Sequence, residues 1–211
     1  MDVEALQKLI EQKFAPEPLL AVQGLANTHA TTEDEELLPD PEGARRWLIQ
    51  AGLIYADADL SATDHEELLE LRQAVRDMLG GHHEGATVAA AVDTLRRLAA
   101  EHPVEFEVTD TGEVRLDLGP ASSGGALIAQ LVGIIGQAQG RDEWERLKIC
   151  PDDSCSWAFY DSSKNRGGVW CSMGDCGNRE KNRRYRERQK QALYLPDGHS
   201  AAIRAMPPPA R

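Results

Sequence analysis

Every cysteine in the chain falls in one short window: Cys150, Cys155, Cys171 and Cys176. The spacing is C-x4-C, fifteen residues, then C-x4-C. Two short-range pairs separated by roughly 15–20 residues are the arrangement of a zinc ribbon. Here each pair brackets four residues, the upper end of the spacing that structural zinc sites use. Each pair can turn both sulfurs toward one centre, and the excursion between them brings the second pair back to complete a tetrahedron. Four thiolates fill the coordination of Zn2+ and leave no place for a reactive water, so the site reads as structural. Binding of the metal would then drive folding of the segment around it. Two disulfides, a redox-active dithiol and an iron–sulfur centre are the competing readings. Zinc is preferred because "MDVEALQKLIEQKF" has no apolar signal core, which predicts a reducing, cytoplasmic setting.

Between the pairs lies "SWAFYDSSKNRGGVW", with Trp157, Phe159, Tyr160 and Trp170 among the chain's 4 Trp, 4 Tyr and 3 Phe. So small a module has little other material for a core, so these rings are expected to pack. Exposed stacking on nucleic-acid bases is the alternative.

After Cys176 the sequence turns strongly basic. "NREKNRRYRERQK" has no Gly or Pro and many helix formers. Cys176 would stand at the helix N-terminus, where the macrodipole favours its thiolate. Arg179, Arg183, Arg186 and Lys190 follow along one face, and Lys181, Arg184 and Arg188 along the next. There is almost no apolar side, so core packing does not account for this helix. It is either solvated or laid against a counterpart: nucleic-acid phosphate, the chain's own acidic part, or a protein partner. A four-thiolate zinc site carries a formal charge of -2, which gives nearby cations a structural role as well.

The net charge of -12 conceals the asymmetry. Residues 1–140 hold 9 Lys+Arg against 25 Asp+Glu, a balance of -16, whereas residues 141–190 hold 12 against 9. No run approaches the roughly 18 apolar residues of a membrane span.

Periodicity organises the acidic part. Val3 to Phe14 reads as a helix stopped by Pro16 and Pro18. "LLAVQGLANTHA" follows as a largely apolar stretch, then an acidic loop. Pro41 opens a helix with Ala44, Trp47 and Leu48 inward, closing at Gly52. "SATD" at Ser61 resembles a capping box, and Leu68, Leu71, Val75, Met78 and Leu79 line the helix it begins. Gly80-Gly81 is expected to end that helix, leaving His82-His83 in an exposed loop. Ala86 to Glu101 gives another helix, with Val88, Val92, Leu95, Leu98 and Ala99 inward. The period then becomes two: Val104, Phe106 and Val108 face Val114, Leu116 and Leu118 across "DTG", a hairpin that must pack on the helices. "SSGGALIAQLVGIIGQAQG" lacks charge and reads as a buried helix. The fold class is therefore α+β and mainly helical. A helical N-terminal domain with one β-hairpin (1–141) precedes a small treble-cleft- or ribbon-like four-cysteine finger ending in a basic helix (142–195), and 196–211 is a disordered tail.

"CPDDSCSWAFYDSSKN…WCSMGDCGNREKNRRYRER" resembles the CGNR zinc finger, whose tetrapeptide stands here at Cys176 to Arg179. "LANT" at Leu25 to Thr28, "WLIQAGL" at Trp47 to Leu53 and "ELLELRQAVRDML" at Glu67 to Leu79 resemble the ABATE domain that accompanies this finger in bacteria. The resemblance implies a stress-induced transcription regulator whose finger binds DNA and whose N-terminal domain senses or regulates. It carries over Cys150, Cys155, Cys171 and Cys176 as zinc ligands, and Arg179, Lys181, Arg183, Arg184, Arg186 and Arg188 as phosphate contacts. The family places a basic pair before its "WC". Gly168-Val169 stands there instead, which lowers the positive charge of this surface.

The alternative function is a ligand- or protein-binding module in which the finger is a structural clip. Asn27, Thr28 and His29, closing an apolar stretch, are candidate pocket residues for a small molecule; capping of a helix is the plainer role for the first two. No nucleophile elbow, zincin, P-loop or dinucleotide fingerprint is present, so no enzyme is expected. The reading includes no membrane partner and leaves room for an oligomer.

Overall fold

A computed structural model describes residues 1–10, 13–30, 35–84 and 88–193. The expected tail at 196–211 lies outside them. The chain divides into two compact units, Met1–Cys171 and Ser172–Arg211.

The first unit begins with α1 (Val3–Ile10) and α2 (Leu20–Ala26), followed by the short antiparallel pair β1 (His29–Ala30) and β2 (Glu35–Glu36). Helix α1 is shorter than its apolar spacing suggests: Lys13 has φ 55, which a helix cannot continue through. Helix α3 (Pro41–Gln50) starts as expected, with Pro41 in its first turn and the Asp40 carboxylate accepting from Gly43 N–H at 2.7 Å. It ends before Gly52, which takes the left-handed φ of +64.

Strand β3 (Ile54–Asp59) leads into α4 (Ala62–Glu84). The capping box is real. Ser61 Oγ accepts from Asp64 N–H at 3.1 Å and the Asp64 carboxylate accepts from Ser61 N–H at 2.9 Å. Gly80-Gly81 does not end α4, and His82-His83 belong to the helix rather than to a loop. Each glycine costs a helix about 1 kcal/mol. Tertiary contact offsets this, since the half-buried His82 ring bonds Leu147 O at 2.8 Å and meets the Trp144 ring edge-on at 5.4 Å.

Helix α5 (Ala89–Glu101) buries Ala91 and Leu98, whereas Ala99 is exposed, not inward. Strands β4 (Phe106–Val108) and β5 (Val114–Leu116) form the expected hairpin, with Phe106 opposite Leu116 and Val108 opposite Val114. It docks through one end only. Leu116 is buried against α6 (Gly124–Gly140), where a side chain in place of Gly133 would press on Leu116 and Val104 at 3.1–3.2 Å. Phe106, Val108 and Val114 stay exposed. Strand β6 (Ala121–Ser123) pairs in parallel with β3, a pairing no local pattern announces. The uncharged α6 is buried along most of its length, its N-terminus capped by Ser123 Oγ.

Helix α6 ends beside the boundary expected at Arg141, yet the compact unit continues to Cys171. A 3-10 turn (Trp144–Arg146) leads into the antiparallel strands β7 (Leu147–Ile149) and β8 (Ala158–Tyr160). Trp144, Leu147 and Ala158 share one hydrophobic core with Leu6, Leu20, Leu25, Leu71, Val75 and Leu131 of the helices. The second unit is a π-helical turn (Met173–Gly177) running into α7 (Asn178–Leu193). No helix among the described residues is long and apolar enough to cross a membrane.

Candidate metal centre

Cys150 directly follows β7, its N–H donating to Trp157 O at 2.8 Å. The chain then turns over Asp152. That carboxylate accepts from Ser154 N–H and Oγ, and its carbonyl accepts from Cys155 N–H at 2.7 Å. "CPDDSC" thus folds into a tight knuckle with both thiols on the inside. Cys171 closes the excursion, and Cys176 sits in the π-helical turn.

The four cysteines are buried, and their sulfurs lie within 4.8 Å of one another. Cys155 and Cys171 Sγ stand 3.5 Å apart, far beyond the ~2.05 Å of a disulfide. With Zn–S near 2.3 Å, a tetrahedron places its sulfurs about 3.8 Å apart, so this donor set fits zinc. Hydrogen bonding among the thiols lowers the pKa of Cys150, which accepts from Cys155 and then Cys171, and raises those of its two donors.

The excursion between the pairs is held by a buried ion pair that sequence reading missed. Lys148 Nζ donates to Asp161 Oδ2 at 2.9 Å and to the carbonyls of Arg166 and Gly168 at 2.5 and 3.0 Å. Asp161 also accepts from the N–H groups of Ser163 and Gly168. Burial raises the Asp161 pKa, but Lys148 and these donors outweigh it and hold the carboxyl well below the usual carboxylate range. The signal available in the sequence was a lone Lys inside "LKI". The same network explains Gly168: a Cβ there would meet the Asp161 carboxylate at 2.7 Å, so the position that the resemblance expects to be basic admits no side chain.

Of the four clustered aromatics, Phe159 is fully buried with Lys13 Nζ 4.7 Å above its ring, and Trp157, Tyr160 and Trp170 are half-buried. Packing is therefore their arrangement.

The residues proposed for a ligand pocket stand elsewhere. Asn27 is the C-terminal cap of α2, and its buried amide brackets Ala158. Oδ1 accepts from Ala158 N–H at 2.7 Å and Nδ2 donates to Ala158 O at 3.0 Å. Gln23, also buried, donates to the same carbonyl at 3.1 Å. Thr28 Oγ donates to Leu25 O and accepts from Arg72, whose guanidinium grips Glu36 through two bonds at 2.7 and 2.8 Å. His29 is half-exposed beside Glu36. "LANT" thus fastens the helical bundle to the strand that follows the cysteine knuckle.

Helix α7 carries seven Lys/Arg against two Glu, a balance of +5. Its cations are not equivalent. Arg179 donates to Cys176 Sγ at 3.0 Å. Arg183 and Arg184 both bond Glu180, at 2.7 and 2.5 Å. Lys181, Arg186 and Arg188 are exposed and make no ion pair among the described residues, and the exposed Tyr185 lies on their helix.

The CGNR zinc-finger family model matches residues 146–189. The ABATE family model, described as "Putative stress-induced transcription regulator", matches residues 21–136, more than half the chain. The chain belongs to the ABATE family. No curated protein matches it. The ABATE match ends inside α6 and the finger match opens in the turn before β7, so Gln23, Asn27 and Arg76 lie in the ABATE part and Ala158 in the finger. Arg76 adds a second strap, donating to Ala26 O at 2.7 Å and Ser156 O at 3.2 Å.

Proposed function

We propose that this ABATE protein is a zinc-dependent, DNA-binding transcription regulator of the cytoplasm, without enzymatic activity. The observation that carries the reading is a helix that starts beside Cys176 and presents Lys181, Arg186 and Arg188, exposed and with no ion pair among the described residues. Zinc bound by Cys150, Cys155, Cys171 and Cys176 would supply charge and cross-linking, not chemistry. What the chain's own residues do is orient the start of α7 and leave its cations available to phosphate, each contact adding about 0.9 to the salt dependence. The -16 of residues 1–140 repels DNA, so affinity is modest and confined to the helix. Fluorescence anisotropy of a labelled mixed-sequence duplex at about 50 mM salt, with zinc-loaded protein, tests this. Saturable binding is expected, and its absence would remove the reading.

A second observation favours a small-molecule role for the N-terminal domain. A cavity of about 380 Å³ opens beside α6, with an apolar floor of Leu127, Leu131 and Ile134 and a polar edge of Gln130, Gln137 and Arg141. Asn27, Thr28 and His29 do not line it. A compound that occupies it will raise the melting temperature, and the shift will grow with the logarithm of its concentration above Kd.

A further inference from the structure

The tetrapeptide Cys176-Gly177-Asn178-Arg179 has a local logic that does not involve a nucleic acid. The turn Met173–Gly177 is closed by Gly177 N–H on Ser172 O at 3.1 Å and by Asn178 Nδ2 on Gly174 O at 2.8 Å. Ser172 Oγ donates to the Asp175 carboxylate at 2.7 Å and accepts from Asp175 N–H at 3.3 Å. These bonds bring the chain into α7 with Cys176 in the last turn before it. Arg179 stands three residues further, which on a helix puts it over the same face as Cys176. Its Nη2 lies 3.0 Å from the Cys176 sulfur.

We propose that Arg179 is a positioning residue of the metal centre: its guanidinium holds the Cys176 thiolate on the ion and governs how long the metal stays. Four thiolates on Zn2+ leave an excess of two negative charges in a buried cluster. A charge-assisted N–H···S bond from a permanently charged guanidinium offsets part of that excess at one sulfur and restricts its rotamer. Arg183 and Arg184 bond Glu180, whereas the Arg179 guanidinium is directed at the Cys176 sulfur. Arg179 was expected to be a phosphate contact. Here its effect on DNA is indirect and runs through the metal.

The test compares R179Q, R179K and R188Q in the zinc-loaded full chain. Zinc transfer to a chromophoric chelator is followed in each, with the thiolate-to-metal charge-transfer bands of the Co2+-substituted protein as a second readout. Loss of a partner to a ligand typically costs about 10–100-fold in metal affinity. R179Q is therefore expected to release zinc at least about tenfold faster and to shift the charge-transfer bands. R179K restores part of the retention, and R188Q leaves both readouts at wild type. Wild-type release from R179Q with unchanged bands overturns the proposal. So does release accelerated equally by R188Q, which would report general charge loss. The outcome is independent of whether DNA binds.

Discussion

The two parts of the finger are built on opposite principles. Between Leu147 and Cys171 the polar groups that fix the backbone are buried and paired: Lys148 on Asp161, Ala158 between Asn27 and Gln23, with His82 on the Leu147 carbonyl. Along α7 the described side chains are charged and almost all exposed, with no apolar face with which to pack. A segment whose backbone is fixed by a hydrophobic core holds its geometry without outside help. A segment lacking such a core depends on the metal at its root, and its surface charge is available for a partner. The first part therefore reads as scaffold and the second as instrument.

Removing the metal should break this contrast most visibly. After chelation, amide exchange of Cys171–Lys190 is expected to rise to near the unprotected limit, while β7, β8 and the helices of residues 1–140 retain protection by hydrogen-exchange mass spectrometry. Equal loss on both sides would show that the core does not hold the first part.

D161N is the next largest perturbation. It leaves Lys148 buried without its counter-ion, at a cost of about 3–5 kcal/mol in chemical denaturation. The pH profile has a definite sign. The folded Asp161 pKa is depressed, so its contribution is complete above the unfolded carboxylate value of about 3.9 and is lost as pH falls below it. D161N removes that acid-side slope.

N27A is smaller. It strips Ala158 N–H of its partner while Gln23 still serves the carbonyl, for an expected loss of about 1–3 kcal/mol. Zinc retention should stay close to wild type, because β7 and β8 pair independently of Asn27.

What could be read from the chain beforehand follows the range of each signal. The capping box at Ser61, the "DTG" hairpin, the uncharged α6 and the cysteine spacing are all written within a few residues, and each appears in the structure. Gly80-Gly81 misled because local propensity said stop while Trp144 and Leu147, far along the chain, said continue. The β3–β6 pairing, the Lys148–Asp161 pair and the Asn27 bracket on Ala158 join distant segments, and no spacing rule marks them. The basic helix was legible, but its division into cations held by Cys176 or Glu180 and cations left open was not, since that depends on side-chain geometry.

The central claim is that the open cations of α7 meet phosphate when the metal holds the root of the helix. Its most direct test is the slope of log K against log salt for a DNA duplex, measured with zinc-loaded wild type and with K181Q/R186Q/R188Q. The account predicts that the triple variant keeps its zinc and loses about 0.9 of slope for each of the three contacts. An unchanged slope with the metal in place would contradict it.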